Sequence, residues 1–250
     1  MIHLTIMDLF LAALLVVALA LTSMRIYPGI GRQLLVAAVR TVIQLTLIGL
    51  VLKALFANSS LLWVTLLSLL MLAVAGHEVM ARQHRRFAGR WGYGIGFVSM
   101  FVSSFTVALF ALAVVIGNDP WYQPQYAIPL LGMLLGNTMN GIALALDRLT
   151  QSAWEQREVI EAQLMIGYSA KRALSGIRQQ VFRSGLIPII NAMAAAGIVS
   201  LPGMMTGQIL AGTPPVEAVK YQILIMFLIA GGAGFGTLAA IHFAAGRLFD

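Results

Sequence analysis

The sequence is a succession of long apolar runs, most of them close to the roughly 20 residues that an α-helix needs to cross the hydrocarbon core of a bilayer. Leu4–Leu21, Leu34–Phe56, Leu61–Gly76, Tyr93–Ile116, Tyr126–Leu146 and Ala218–Ala245 are such runs. Hydrocarbon offers backbone N–H and C=O groups no hydrogen bonds, so segments of this kind fold as helices that satisfy those groups internally. Composition closes the soluble alternative: 60% of the 250 residues are hydrophobic and 10% are charged, where soluble domains carry about 25% charged residues. A further apolar stretch begins at Gly185, is interrupted at Ser200-Leu201-Pro202-Gly203, and resumes from Met204 to Ala211. Neither piece reaches the roughly 17 residues of a full span with margin, so the two form one broken or re-entrant helix. The expected fold is all-α and polytopic, about seven transmembrane helices in one domain over residues 1–250.

Charge sets the expected orientation. The densest positive cluster, Arg82, Arg85, Arg86 and Arg90 against Glu78, lies between the third and fourth runs. Loops enriched in Lys and Arg stay in the cytosol. Placing this loop inside puts all but three of the 16 Lys and Arg on the cytosolic side, the exceptions being Arg40, Lys53 and Lys220. The N-terminus is then outside and the C-terminus inside, in a cytoplasmic (inner) membrane. No basic stretch precedes the first run, so an uncleaved first helix is expected rather than a secretory signal. Tyr27-Pro28-Gly29, Asn58-Ser59-Ser60 and the aromatic, turn-rich segment from Gly117 to Pro124 read as connections. Residues Asp147 to Arg183 form the one substantial soluble segment, with helix formers enough for two short helices around Gly167.

Several chemistries are excluded or weakened. The net charge of +7 is spread between apolar runs rather than gathered into a basic, aromatic-interleaved patch, which argues against nucleic acid. With no cysteine there are no disulfides or thiolate metal centres. None of Lys53, Lys171 and Lys220 follows a glycine, so no P-loop for a nucleotide exists. His77-Glu78 is followed by Ala81 where a zinc protease needs its second histidine. No nucleophile, acid–base pair or metal set marks an enzyme.

The residues left are those that polar chemistry in a membrane requires. Asn137 and Asn140 lie three apart on the fifth span, beside the small-residue face Gly132-Met133-Leu134-Leu135-Gly136, and their amides need partners in protein or water. Pathway lining and a helix–helix hydrogen bond both meet that need. Backbone freed at Pro202 and Gly203, together with the thioethers of Met133, Met204 and Met205, completes the list of pathway candidates. Apolar packing is the ordinary use of such methionines. Arg40 and Gln44 share a face of the second helix, where snorkelling to the interface and a helix contact are alternatives to a functional role. Gly231, Gly232, Gly234 and Gly236 give the last span a face for close helix approach.

Within the soluble segment, Glu161-Ala162-Gln163 followed by Gly167, Ser169, Lys171 and Arg172 reads as helix, glycine turn and second helix. This resembles the coupling loop of ABC-transporter permeases, with Gln163 and the late Ile187-Pro188 departing from that pattern. Over most of the chain, and chiefly at Pro129 to Met139, at Ser200-Leu201-Pro202-Gly203-Met204-Met205-Thr206-Gly207 and at Ala218 to Ile223, the sequence resembles bacterial iron-export ABC permeases of the Fet B type, related to plant permeases of aluminium tolerance. The resemblance implies a non-enzymatic, homodimeric membrane subunit that exports iron or a related metal ion. Its power would come from a separate ATP-binding cassette subunit that holds the ATP and Mg, with no cofactor bound by this chain. Glu161, Ala162, Gly167, Ser169, Lys171 and Arg172 would contact that subunit. An ATPase-independent secondary transporter or channel is the alternative.

The topology is testable against a background free of native cysteine. Arg86→Cys and Ser175→Cys should react with an impermeant thiol reagent only from the cytosolic side, and Gln123→Cys only from outside. Labelling at position 175 from outside would overturn the orientation.

Overall fold

The computed structural model describes residues 5–57, 60–85, 87, 89 and 91–249. Leu4 of the first run, Asn58 and Ser59 of the second connection, and Arg86 and Arg90 of the basic cluster lie outside the described residues. The fold is helical throughout: α1 Ile6–Ile26, α2 Pro28–Ala57, α3 Leu61–Ala81, α4 Trp91–Ile116, α5 Pro124–Glu155, α6 Arg157–Met165, α7 Ala170–Ala173, α8 Ser175–Ala195, α9 Gly203–Leu210 and α10 Pro215–Gly246. The polytopic all-α expectation holds. α1 to α5 and α10 are each long and apolar enough to cross a membrane.

The chain divides into two compact units, Met1–Ser59 and Ser60–Asp250. In the first, α1 and α2 form a hairpin. Tyr27 alone separates the helices, so the expected three-residue turn is tighter than its sequence suggests, because the fixed φ of Pro28 suits a first helical position. At Gly31 an added Cβ would lie 2.6 Å from the carbonyl oxygen of Ala20 and against the Met24 side chain, so glycine permits the sharp reversal. Thr5 and Asp8 bond reciprocally as a capping box at the start of α1. Arg40 and Gln44 sit on the exposed side of α2.

The second unit is built on α5 and α10, which pack along each other. α8 packs on both, α3 lies on α4 and α5, and α4 and α9 each lie against α10. Leu134, Ile142, Leu146 and Leu149 of α5, Leu72 of α3 and Val181 of α8 are fully or almost fully buried. Large apolar side chains cover the outside, among them Trp63, Leu70, Val102, Phe227 and Phe235. Apolar exposure on this scale belongs in lipid, since soluble monomers rarely present contiguous apolar patches beyond a few hundred Å².

Helices overrun the apolar runs. α5 continues past Asp147 to Glu155 and α8 begins at Ser175, so the polar segment expected over 147–183 keeps only α6 and α7 as separate short helices. A helix bonds its own backbone in water as well as in lipid, and the end of hydrophobicity therefore does not end it. The interruption after Gly185 is real: α8 stops at Ala195, Gly197 turns at φ +81, and α9 starts after Pro202. α9 joins the first residues of α10 through a four-residue turn, whereas Gly185 of α8 meets Thr237 far along the same helix. Both pieces pack on α10, as a broken or re-entrant helix.

α5, α8 and α10 meet at glycine. A Cβ on Gly185 would lie 2.9 Å from the Gly141 carbonyl oxygen and 2.8 Å from Thr237 Cγ2; one on Gly141 would lie 3.0 Å from the Gly185 carbonyl oxygen. Gly232 and Gly236 of α10 are similarly confined by Thr138, whereas Gly136 and Gly231 face open space. Gly185→Val should therefore cost about 1 to 3 kcal/mol by overpacking. Its membrane abundance and midpoint of thermal unfolding in detergent should drop, and those of Gly136→Ala should not. Equal stability of the two variants would contradict this packing.

Candidate functional site

The α6–α7 segment is an exposed knob whose shape is set by one glycine. α6 keeps a single buried side chain, Ile160. At its end the Tyr168 amide donates to the Gln163 carbonyl and the Gly167 amide to the Leu164 carbonyl, both at 3.0 Å. This is a Schellman closure with Gly167 at φ +93, a conformation that costs glycine little and L-residues more. Ser169 then starts α7, its side chain accepting from the Arg172 amide.

The closure puts Met165 and Ile166 at 84% and 73% exposure. Tyr168 stands beside them with the Arg172 guanidinium 4.4 Å from its ring centre. Arg157 Nε donates to Glu161 Oε1 at 2.7 Å one turn apart, and this bond holds the guanidinium pKa above its ordinary value. Ala162, Lys171 and Arg172 are exposed. The structure thus gathers the six residues expected for coupling into one apolar tip with a charged surround. Beside it runs a groove of about 570 Å³ lined in part by Arg85, Trp154, Arg157 and Phe249, with the Arg85 guanidinium 4.2 Å from the Trp154 ring centre.

The expected pathway residues are dispersed. Asn137 and Asn140 share an exposed face of α5. Asn137 Nδ2 donates back to the Met133 carbonyl at 2.8 Å, and Asn140 Oδ1 accepts from Arg82 Nη1 at 2.7 Å. Pro202 caps α9 with extended backbone, Gly203 opens the helix, Met204 is half-buried and Met205 is buried. Among the described residues no three His, Asp or Glu are grouped to hold a metal ion.

Sequence reasoning missed two ties between the segment just after α3 and α5. One is Arg82 on Asn140. The other is His84, whose backbone amide lies 2.8 Å and whose Nδ1 lies 3.1 Å from Asp147 Oδ1. It also missed a set of buried hydroxyls, Ser99, Ser104, Thr138 and Thr237, none of which finds a hydrogen-bond partner. Polar residues inside apolar runs were the available signal, and only the amides were singled out by it.

Comparison with known proteins places this chain in a family. The family model described as "Uncharacterised protein family (UPF0014)" matches residues 6–249. The "UPF0014 membrane protein slr1647" of Synechocystis is 40% identical over 207 residues, covering 83% of this chain and 79% of that protein. The "Probable iron export permease protein FetB" of Escherichia coli is 30% identical over 245 residues, 97% of this chain and 92% of that one. "Protein ALUMINUM SENSITIVE 3" of Arabidopsis thaliana is 32% identical over 235 residues, 92% and 83% respectively. No solved structure matches the chain.

The two amides differ in what their removal costs. Asn137→Ala loses a bond within its own helix and should leave abundance and thermal stability unchanged. Asn140→Ala removes a charge-assisted acceptor and should cost about 1.5 to 3 kcal/mol, read as a lower unfolding midpoint. Equal midpoints for the two variants would mean that the Arg82 contact contributes nothing.

Proposed function

The chain belongs to the UPF0014 family of membrane proteins, and on that premise we propose that it is the permease subunit of an ATP-driven exporter of iron or a related metal ion. A separate ATP-binding cassette subunit docks on the α6–α7 knob and holds the ATP and Mg. Two copies of the chain form the transporter in the cytoplasmic membrane, with the knob, the Arg82–Arg85 loop and the C-terminus on the cytosolic side. The chain itself carries no catalytic site.

The observation that carries this reading is the knob. Met165, Ile166 and Tyr168 are too apolar to be left facing water, and a rigid glycine-closed tip is the form that seats in a partner's groove. Glu161, Lys171 and Arg172 around it supply charge for orienting the partner. Kinship with a protein named as an iron export permease supports the substrate class.

Asn137 and Asn140 support the pairing of two copies. Each amide keeps donors and acceptors beyond its one bond within the chain, and on a membrane span a second copy or an aqueous pathway satisfies them. A cation passing Asn137 and Asn140 would meet amide oxygens rather than carboxylates, and one passing α9 would meet thioethers and the backbone at Pro202 and Gly203. Such donors hold a metal weakly, which suits release.

Gly167→Val forces a β-branched residue into the left-handed region and should splay the tip. Copurification of the cassette subunit should fall at least ten-fold, with transport measured as metal efflux falling in step and membrane abundance preserved. Glu161→Lys should weaken the association less. Undiminished copurification and efflux in Gly167→Val would remove the knob from the docking surface, and efflux that persists without any cassette subunit would replace this reading by secondary transport.

A further inference from the structure

Serine and threonine inside helices ordinarily return their hydroxyl to the carbonyl four residues back. Thr22, Thr41, Thr46 and Thr65 do so at 2.8 to 2.9 Å, and Ser103 bonds the Ser99 carbonyl at 2.8 Å. Ser99, Ser104, Thr138 and Thr237 do not. All four are 0% exposed and none of their hydroxyls has a partner.

They lie in one region of the fold. Thr138 of α5 packs against Gly232 and Gly236 of α10, and Thr237 of α10 packs against Gly141 of α5 and Gly185 of α8. Ser103 closes on Gly236 from α4. Ser99, Ser103 and Ser104 lie toward one side of α4, which is π-helical over Phe101–Phe105, a winding that brings residues four and five apart together; a second π-helical stretch covers Ala111–Ile116. Thr138 and Thr237 each lie nine residues before a polar boundary, Asp147 and the end of α10 at Gly246. That distance is about 13 Å of helix.

Two facts conflict unless the helices move. An unsatisfied buried hydroxyl costs about 1 to 3 kcal/mol, and a buried water is the usual remedy. Packing around the threonines is close: at Gly141, Gly185 and Gly236 the position where a Cβ would stand is already 2.6 to 3.1 Å from atoms of Thr138, Thr237, Ser103 or a facing backbone carbonyl. Separation of α4, α5, α8 and α10 by about the width of a water molecule would hydrate all four hydroxyls together. The double π-helical interruption of α4 marks a place where that helix can adjust, since such bulges recur at functional sites.

We propose that this hydroxyl layer is the lining of an aqueous opening inside each protomer, closed by glycine packing and wetted from the basic, cytosolic side during transport. The polar species it serves is water or a hydrated cation, because four neutral hydroxyls without a carboxylate do not compensate a dehydrated divalent charge. The inference rests on the transport reading above and adds a second polar surface to the one carrying Asn137 and Asn140.

The test uses inverted vesicles holding the chain with its cassette subunit and an impermeant thiol reagent applied outside. Thr138→Cys, Thr237→Cys and, as control, Leu72→Cys, a fully buried apolar site on α3, are compared with and without ATP in variants that still transport. Positions 138 and 237 should react at least ten-fold faster than position 72 when ATP is present. Reaction no faster than at position 72 in actively transporting vesicles would overturn the proposal.

The double variant Thr138→Val and Thr237→Val supplies an independent measurement. A purely structural layer predicts equal or higher thermal stability with full transport, which would also overturn the proposal. A wetted layer predicts equal or higher stability with transport reduced at least five-fold. If ATP drives no transport in any vesicle, the exporter reading fails by itself. Faster labelling at 138 and 237 than at 72 then still supports the opening, and equal labelling refutes it.

Discussion

Hydrocarbon solvates no hydrogen-bonding group, and that single constraint organises this molecule. It makes the backbone helical wherever the chain crosses the membrane and leaves apolar side chains facing outward without penalty. It also removes the hydrophobic effect as the force between helices, so that association depends on close contact and on polar groups. The meeting of Gly141, Gly185 and Thr237 is the outcome: α5, α8 and α10 approach until backbone carbonyls of one helix stand where a side chain of another would begin.

Polar groups in this setting are costly enough to carry meaning. Arg82 reaches Asn140 and His84 holds Asp147, so the loop leaving α3 is bound to the polar end of α5. Arg247 over Trp91, 3.6 Å from the ring centre, likewise joins the end of α10 to the start of α4. These ties gather the ends of the helices on the side that bears the α6–α7 knob. The knob itself is joined to the end of α5 and, through α7, to the start of α8.

The contrast between the two candidate regions follows from the range of the interactions behind them. The knob depends on a Schellman closure within six residues, from Gln163 to Tyr168, and glycine between helix formers announces such a closure in the sequence. The membrane region depends on residues far apart in the chain. Asn140 meets Arg82 across 58 positions, and Thr138 is enclosed by glycines of α10. Local spacing suggested that Asn137 and Asn140 act as a pair, yet one bonds within its helix and the other to α3.

By itself the sequence determined the all-helical, membrane-spanning character, the positions of the spans, the break at Pro202 and the glycine turn of the knob. Each of these follows from solvent preference or from the conformational range of one or two residues, and needs no distant partner. The helix ends moved by up to ten residues from the apolar boundaries, as at Ser175 before Gly185 and Glu155 beyond Leu146, because a helix does not require hydrophobicity to continue. Only the tertiary structure decided that Thr138 and Thr237, rather than the more conspicuous asparagines, are sealed from lipid and water alike. A hydroxyl's cost depends on what surrounds it in three dimensions, and the glycines that close around these two come from other helices.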